Sequence, residues 1–217
     1  MTPQCCDRDL LALENILFLG AGGGMQPVAE GPDGQSSGVT FTAADVDFAA
    51  AGVEAGMVLT TYDMGHGPAE GRTCEIVAVP AATQLDVSVL RVDADSPAVA
   101  PIPGGPCFFI RSYRPQIQAV HDALMERLLW AGTGKPVWTG SFLPSPQLRQ
   151  ALACGTLAAV FVSRARDGSP TDANWLKAEH YRREFERLSA SLQLTPDPAD
   201  GQPGGVVAMG HVTLRRV

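Results

Sequence analysis

Hydrophobic and polar positions change their period along this chain, and the changes predict a short helical start, a β-rich middle and a helical second half. Apolar side chains recur at helical spacing over residues 7–19, where Asp7 can cap the helix and Gly20 can end it. Residues 20–38 are rich in glycine and are predicted to form one long loop. Loops of that length in compact domains usually serve a function or move.

Residues 39–112 contain short runs of β-branched and aromatic residues between turn signals. Leu85, Val87 and Val89 alternate with polar residues, as in a strand with one buried face. The pattern predicts four or five short strands in a small twisted sheet, open or partly closed on itself. The predicted strands cover residues 57–62, 74–79, 84–90 and 107–111.

After residue 112 the helical period returns and predicts three more helices. The first begins near Pro115, and the second, over residues 147–166, is apolar on nearly every side, as in the centre of a bundle. The third is capped by Thr171 or Asp172 and runs to about residue 194. Its buried face is predicted to hold Trp175, Ala178, Tyr181, Phe185, Leu188 and Leu192.

These elements predict an α+β protein: a helix bundle of about four helices with an inserted small antiparallel β module and an extended C-terminal tail. Helices on both sides of an insertion have to close on each other to bury their apolar faces. The predicted segments are an N-terminal helix with a glycine-rich loop (1–37), the β module (38–112), the helical bundle (113–195) and the tail (196–217). Residues 206–217 suit either a terminal strand or an extended segment.

Composition and charge exclude several classes of protein. The 217 residues are 45% hydrophobic and 18% charged, which is not the composition of a disordered chain. The net charge of −7 argues against binding nucleic acid by neutralising phosphates. No apolar run is long enough to span a membrane, and the N-terminal residues lack the layout of a signal peptide. Five cysteines without a CxxC motif favour a reducing compartment.

The charge is also unevenly distributed. Residues 1–112 contain 4 basic and 14 acidic residues, a net charge of −10, whereas residues 113–217 contain 12 basic and 9 acidic residues, a net charge of +3. This asymmetry predicts two regions with different surroundings.

The glycine-rich stretch after residue 19 superficially resembles a dinucleotide-binding loop. A GxGxxG motif would need glycine at position 25, where the chain has Met25, and a helix should follow. The prolines and glycines that follow exclude that helix. A helix end followed by a loop is the better interpretation.

Four further sets of residues were considered as chemical sites. His66, Cys74 and Cys107 match no zinc spacing, and residues 197–201 lack the oxygen ligands of a calcium loop. Cys154 with either His121 or His180 is a conceivable nucleophile–base pair, but Cys154 lies in the most apolar helix, where a small residue usually serves packing. The sequence therefore nominates no catalytic, cofactor-binding or metal-ligating residue, and no cofactor.

Three segments carry a resemblance to a known family. Residues 41–59 contain Asp47-Phe48, Gly52-Val53 and Gly56, a DF-x-x-x-GV-x-x-G turn leading into a strand, and residues 74–90 continue with β-type sequence. The first part resembles a β-module opening of tailed-bacteriophage structural proteins. The helix over residues 175–187 is similar to the last long helix of head–tail adaptor (connector) proteins, and the whole organisation resembles the adaptors of short-tailed phages.

The resemblance implies a structural virion protein and not an enzyme. Copies of the chain would form a twelve-fold ring beneath the portal protein, in the neck between capsid and tail, and a downstream tail or nozzle protein would bind the other side. Genome DNA would pass through the lumen without specific binding, since an acidic surface repels it. Assembly would take place in the host cytoplasm, without a membrane.

The residues expected at the portal or subunit interface lie on the last helix and on the tail. An extended terminal segment can add as a strand to a neighbour's sheet edge. Two alternatives remain open: another tail or neck component (tail terminator, tube or stopper), and a soluble ligand-binding protein or enzyme. The expected interface residues are Trp175, Tyr181, Arg182, Phe185, Val212, Leu214, Arg215 and Arg216.

Overall fold

A computed structural model of the chain describes residues 3–19, 24–129, 141–165, 171–197, 206–208 and 211–213. The chain divides into two compact units. One, the sheet unit, covers residues 6–114, and the other, the helical unit, covers residues 1–5 and 115–217. The chain therefore passes from one unit to the other at two points, after Cys5 and after Arg114.

The sheet unit contains one antiparallel sheet of seven strands in the order β1-β7-β4-β5-β6-β3-β2. Each pair of neighbours is antiparallel. The strands are β1 (Gln26–Gly31), β2 (Gln35–Ser37), β3 (Thr40–Thr42), β4 (Val58–Tyr62), β5 (Arg72–Ala81), β6 (Gln84–Ser88) and β7 (Cys107–Ser112).

The two edge strands of this sheet are joined by only three residues, 32–34. Four Cα–Cα steps span at most about 14 Å, whereas six inter-strand steps of about 4.8 Å would separate the edges of a flat sheet by about 29 Å. The sheet must therefore curl until its edges meet. Six reversals of direction also make β1 and β2 run the same way, so they form one bent strand that pairs with β7 at its start and with β3 at its end.

Contacts at the bend fix this closure. The backbone N–H of Gly34 donates to the Pro106 carbonyl at 2.8 Å. The Asp33 carboxylate accepts from the N–H groups of Ala44 and Asp45 at 2.6 and 3.0 Å. The side chains inside the curl make a dense aromatic and aliphatic core. It comprises Phe41, Ala43, Phe48, Val53, Met57, Leu59, Cys74, Ile76, Leu85, Val87, Phe108 and Ile110.

A short helix, α1 (Asp7–Leu13), and a 3-10 helix (Asn15–Phe18) belong to the same unit as the sheet. Leu10 and Leu11 of α1 are buried, and the Phe18 carbonyl accepts a hydrogen bond from the Thr60 hydroxyl of β4. These contacts cover the outer side of β4, whose first four residues are buried although they alternate between the two faces of the sheet.

The helical unit contains α2 (Arg114–Leu129, which begins one residue before the unit does), α3 (Pro146–Arg164) and α4 (Ala173–Ala190). The three helices approach one another closely at Gly155. A Cβ atom at this position would lie 2.7 Å from Val120 Cγ1 of α2 and 2.9 Å from Phe185 Cδ2 of α4. Only glycine fits there without displacing Val120 or Phe185, so Gly155 permits this close packing.

A second, three-stranded antiparallel sheet follows α4 in the order β10-β9-β8. Its strands are β8 (Gln193–Leu194), β9 (Val206–Ala208) and β10 (His211–Thr213). Of the two options for the chain end, the described part thus forms strands, and the predicted extended tail is wrong for these residues. Residues 198–205, 209–210 and 214–217 lie outside the described ranges.

The α+β class is confirmed, but the proportions of the predicted elements were wrong. The sheet has seven strands instead of four or five, because β1 and β2 occupy the segment predicted to be one loop and β3 lies before the first predicted strand. The predicted helix over residues 7–19 breaks at Glu14, whose φ of −146° is extended, and Cys6 is its N-cap instead of Asp7. This helix joins the sheet unit, so the expected bundle of about four helices has three in the described ranges of the helical unit.

Helix boundaries in the second half are close to the prediction. Asp172 caps α4 and accepts from the N–H groups of Asn174 and Trp175. The last helix ends at Ala190, four residues early, because Gln193 and Leu194 enter the small sheet. The hairpin turn between β5 and β6 is two residues shorter than the predicted loop over 80–83.

Candidate interaction surface

Three connections meet at one end of the curled sheet because neighbouring strands alternate in direction. They are the β2–β3 turn (residues 38–39), the β4–β5 connection (63–71) and the β6–β7 loop (89–106). We call this the loop end. The β6–β7 loop is the longest connection in the described part of the sheet unit, and long loops without regular structure in compact domains are usually functional.

A buried carboxylate holds the start of the β6–β7 loop. Glu75 of β5 is fully buried and forms ion pairs with Arg91 in the loop and with Arg8 of α1, whose Nε lies 3.1 Å from Glu75 Oε2. Arg8 also donates to the Arg91 carbonyl at 2.8 Å. Because a buried charge needs a partner, this cluster fixes the loop against both the helix and the sheet.

Further hydrogen bonds shape the middle of the loop. Arg91 Nη1 donates to the carbonyls of Ala94 and Ser96 at 2.8 and 2.9 Å. The Asp93 carboxylate accepts from the backbone N–H and the hydroxyl of Ser96 at 2.7 and 2.8 Å. These hydrogen bonds hold the pKa of Asp93 below its usual value. Hydrogen bonds within the loop therefore add to the ion pairs of Glu75 that anchor its first residues.

The end of the loop lies against β4. Gly105 has a φ of +142°, and a Cβ atom there would lie 2.6 Å from the Tyr62 carbonyl oxygen. Earlier in the loop, the N–H of Val99 donates to the Ser88 hydroxyl at 2.8 Å. Position 105 therefore requires glycine, because the chain passes this close to the β4 backbone with a positive φ.

Two of these connections expose large apolar side chains. Val92 is 96% exposed, Met64 75% and Ile102 66%, and Val99 is also exposed. We call these four residues the loop-end patch. They lie on connections at the same end of the sheet, and apolar side chains gathered on one surface mark sites that bind another macromolecule. A preformed loop loses little conformational entropy when it binds.

A shallow pocket of about 380 Å³ lies beside α1 in the same unit. Exposed Leu13, Val89 and Leu90 border it, and they extend the apolar character of this surface from the loop toward the helix. No titratable side chain lines the pocket. Its lining residues are Leu11, Ala12, Leu13, Asn15, Thr73, Val89 and Leu90.

The helical unit also exposes apolar side chains at one end. Val162 lies in the last turn of α3 and Leu176 in the first turn of α4, and both are about half exposed. Asn174 Nδ2 donates to the Arg164 carbonyl at 3.3 Å, which holds the two helix ends side by side. We call Val162 and Leu176 the hairpin-end patch. The sequence predicted neither patch. Hydrophobic periodicity identifies the buried faces of helices and strands, and it does not identify apolar side chains that are exposed.

The interface residues expected on α4 take different positions in the structure. Tyr181 is buried, and its ring stacks on Phe161 of α3 at 5.9 Å and 7°. Trp175 and Phe185 are half-buried, and Phe185 packs beside Gly155. Arg182 is exposed but forms ion pairs with Glu179 and Glu186. Tyr181 and Phe185 thus contribute to packing between helices.

The expected interface residues near the C-terminus are less fully described. Val212 lies in β10, paired with Val207 of β9. Leu214, Arg215 and Arg216 lie outside the described residues, so their role stays a prediction.

Burial keeps three thiols protonated at neutral pH. Burial raises the pKa of Cys74 to about 12, and burial together with the Asp9 carboxylate raises the pKa of Cys6 to about 12. The pKa of Cys154 is raised by burial and by the Glu184 charge. Nucleophilic and redox chemistry requires the thiolate, so these side chains act as small apolar groups.

The histidines considered as bases do not meet Cys154 in the described contacts. His121 is buried and its Nδ1 lies 3.1 Å from Asp122 Oδ1. His180 is exposed and makes an edge contact with the Tyr181 ring.

Among the described ranges, no three His, Cys, Asp or Glu side chains converge to hold a metal ion. No helix in the described part of the chain is both long and apolar enough to cross a bilayer.

Comparison of the chain with protein-family models, curated proteins and solved structures finds no match.

Proposed function

We propose that this chain is a structural protein of a tailed-bacteriophage virion, acting as a head–tail adaptor in the neck between capsid and tail. The observation that carries the proposal is the loop-end patch, three of whose four apolar side chains project from the β6–β7 loop, which the buried ion pairs of Glu75 hold at its start. Such a surface suits permanent contacts with other proteins. The particular class of structural protein is proposed from the resemblance of residues 41–59 to phage structural proteins and of residues 175–187 to head–tail adaptors.

In this proposal the helical unit corresponds to the adaptor's bundle and the sheet unit to its inserted β module. Copies form a ring beneath the portal protein, and the C-terminal residues, including Arg215 and Arg216, contact the portal. A downstream tail or nozzle protein binds the other side of the ring, and genome DNA passes through without specific contacts. Assembly takes place in the host cytoplasm.

The test is affinity purification of the tagged full chain from its native host during particle production, with partners identified by mass spectrometry. Recovery of a large portal protein together with tail proteins is expected. The double charge reversal Arg215→Glu/Arg216→Glu should reduce portal recovery, whereas Arg149→Glu, which changes an exposed arginine on α3, should not.

Two results would contradict the proposal. One is recovery of metabolic enzymes in place of virion proteins. The other is a background-level recovery of portal and tail proteins from cells that are releasing particles.

A further inference from the structure

The second half of the β6–β7 loop is rich in proline. Residues 97–103, which we call the proline segment, have the sequence PAVAPIP, and no charged residue occurs between position 96 and the end of the loop. Each proline fixes its own φ at about −65°, and it restricts the residue before it to extended conformations. Six of the eight residues 96–103 are therefore limited to polyproline II or β geometry.

The structure holds the proline segment extended and attached at two points. Residues 97–105 contain no turn, bend, helix or strand. The N–H of Val99 donates to the Ser88 hydroxyl at 2.8 Å, and the Val99 carbonyl accepts from the N–H of Val89 at 2.9 Å. The close approach of Gly105 to the backbone of β4 fixes the chain just after the segment. The proline segment is thus preformed on the surface of the sheet unit.

One side of the proline segment offers a continuous row of small apolar groups to solvent. In polyproline II geometry, with three residues per turn, Pro97, Ala100 and Pro103 lie on the same side, and all three are exposed. Pro101 would share a side with the other two prolines in a flat strand, but it is half-buried and borders a small cavity that reaches Leu59 of the core. The different exposure of the prolines therefore fits the threefold period better than the twofold one.

We propose that the proline segment is the ligand for a groove lined by aromatic side chains on a partner protein. Extended proline-rich segments dock in aromatic-lined grooves, and a preformed segment loses little conformational entropy on entering one. The absence of charged residues from the segment suits a groove that excludes water. The inference rests on the proposed function only in identifying the partner as another virion protein, and it adds the chemistry of that partner's surface.

Photo-crosslinking in the native host during particle production tests the proposal. The full chain carries p-benzoylphenylalanine in place of Ala98, an exposed residue within the proline segment, and mass spectrometry identifies the cross-linked peptides. The expected product joins position 98 to a site on a portal or tail protein that contains tryptophan, tyrosine or phenylalanine. Alanine substitution of the aromatic residue nearest to that site should abolish the cross-link.

Variants of the two exposed prolines test the role of their rings. Pro97→Ala/Pro103→Ala in the same chain should lower the yield of the cross-link at least about tenfold. Pro80→Ala is the matched control and should leave the yield unchanged, because Pro80 is an exposed proline of β5 beside the hairpin at the opposite end of the sheet. The folded chain should tolerate these changes at exposed positions, which circular dichroism and thermal melting check.

Three outcomes would overturn the inference. The first is an unchanged yield from the double proline variant, as expected for a partner that adds a β-strand through its backbone. The second is a cross-linked site whose aromatic residues can be replaced without loss of the cross-link, and the third is no cross-link in particles that contain the chain. A proline-dependent cross-link to an aromatic site on a protein absent from purified particles would instead support the groove and contradict the proposed function.

Discussion

The carboxylate of Asp7 accepts a hydrogen bond from the backbone N–H of Tyr113 at 2.8 Å, although the residues are 106 positions apart. Asp7 begins α1 and Tyr113 follows β7, so this bond ties together the two points at which the chain enters and leaves the sheet unit. Burial raises the pKa of Asp7 to about 6, against the lowering effects of hydrogen bonds from Ser112 and Tyr113 and of the Arg114 charge.

This pKa predicts that the free energy of unfolding depends on pH through Asp7. Between about pH 4 and pH 6 the folded state holds a proton that the unfolded state has released, so stability falls as the pH rises through this window. Two pKa units correspond to about 3 kcal/mol. Urea unfolding at several pH values should show that Asp7→Asn removes this slope.

Asp45→Asn, at an exposed aspartate of the same unit, is the matched control and should keep the slope. A slope that is unchanged in Asp7→Asn would mean that Asp7 titrates in the folded protein as it does in the unfolded chain.

Glu75 is predicted to stabilise the sheet unit through its ion pairs with Arg8 and Arg91. Glu75→Gln removes the negative charge that the guanidinium groups of Arg8 and Arg91 share. It should lower the free energy of unfolding by about 3–5 kcal/mol. Chemical denaturation measures this change. Glu70→Gln removes only the exposed pair with His66 and should cost less than about 1 kcal/mol. Equal effects of the two substitutions would contradict the anchoring role of Glu75.

Gly155 is predicted to be required for the packing of α2, α3 and α4. Gly155→Ala gains about 1 kcal/mol of helix propensity, but its methyl group would overlap Val120 and Phe185, and overpacking of this kind costs about 1–3 kcal/mol. We expect a net loss of stability of up to about 2 kcal/mol in thermal or urea unfolding. Ala159→Ser, on the exposed side of α3, should change stability by less than about 0.5 kcal/mol. A more stable Gly155→Ala protein would show that the helices are not in close contact there.

Cys74 is predicted to be unreactive in the folded protein. With a pKa of about 12, roughly one Cys74 thiol in ten thousand is ionised at pH 8, and the side chain is buried within the curled sheet. Iodoacetamide followed by peptide mass spectrometry should leave Cys74 unmodified in the native chain and modify it after denaturation in urea. Rapid native labelling would contradict its burial.

The elements that the sequence predicted correctly are those that local pattern decides. Leu85 and Val87 alternate with polar residues and form β6, and the helix that was predicted over residues 147–166 from its nearly continuous apolar run forms α3. The strand β1 was missed because its residues are mostly exposed or half-buried and include Pro27 and Gly31, so neither periodicity nor β propensity marks it. It exists because β7 pairs with it from about 80 positions away.

The candidate surface could not be predicted for a related reason. Glu75 meets Arg8 and Arg91 only after the sheet and α1 have come together, so the anchoring of the β6–β7 loop leaves no local signal in the sequence. Val92 and Ile102 stand out only when their exposure is known. The charge asymmetry between the two halves, in contrast, was visible in the sequence and coincides closely with the division into two units.

The location of the chain in a purified particle tests the central claim most directly. The measurement is electron microscopy of mature particles from the native host, labelled with gold-conjugated antibodies raised against the full chain, together with mass spectrometry of the same particles. The account predicts peptides of the chain in the particle and gold confined to the neck between capsid and tail. Particles that lack the chain, or labelling elsewhere on the particle, would contradict it.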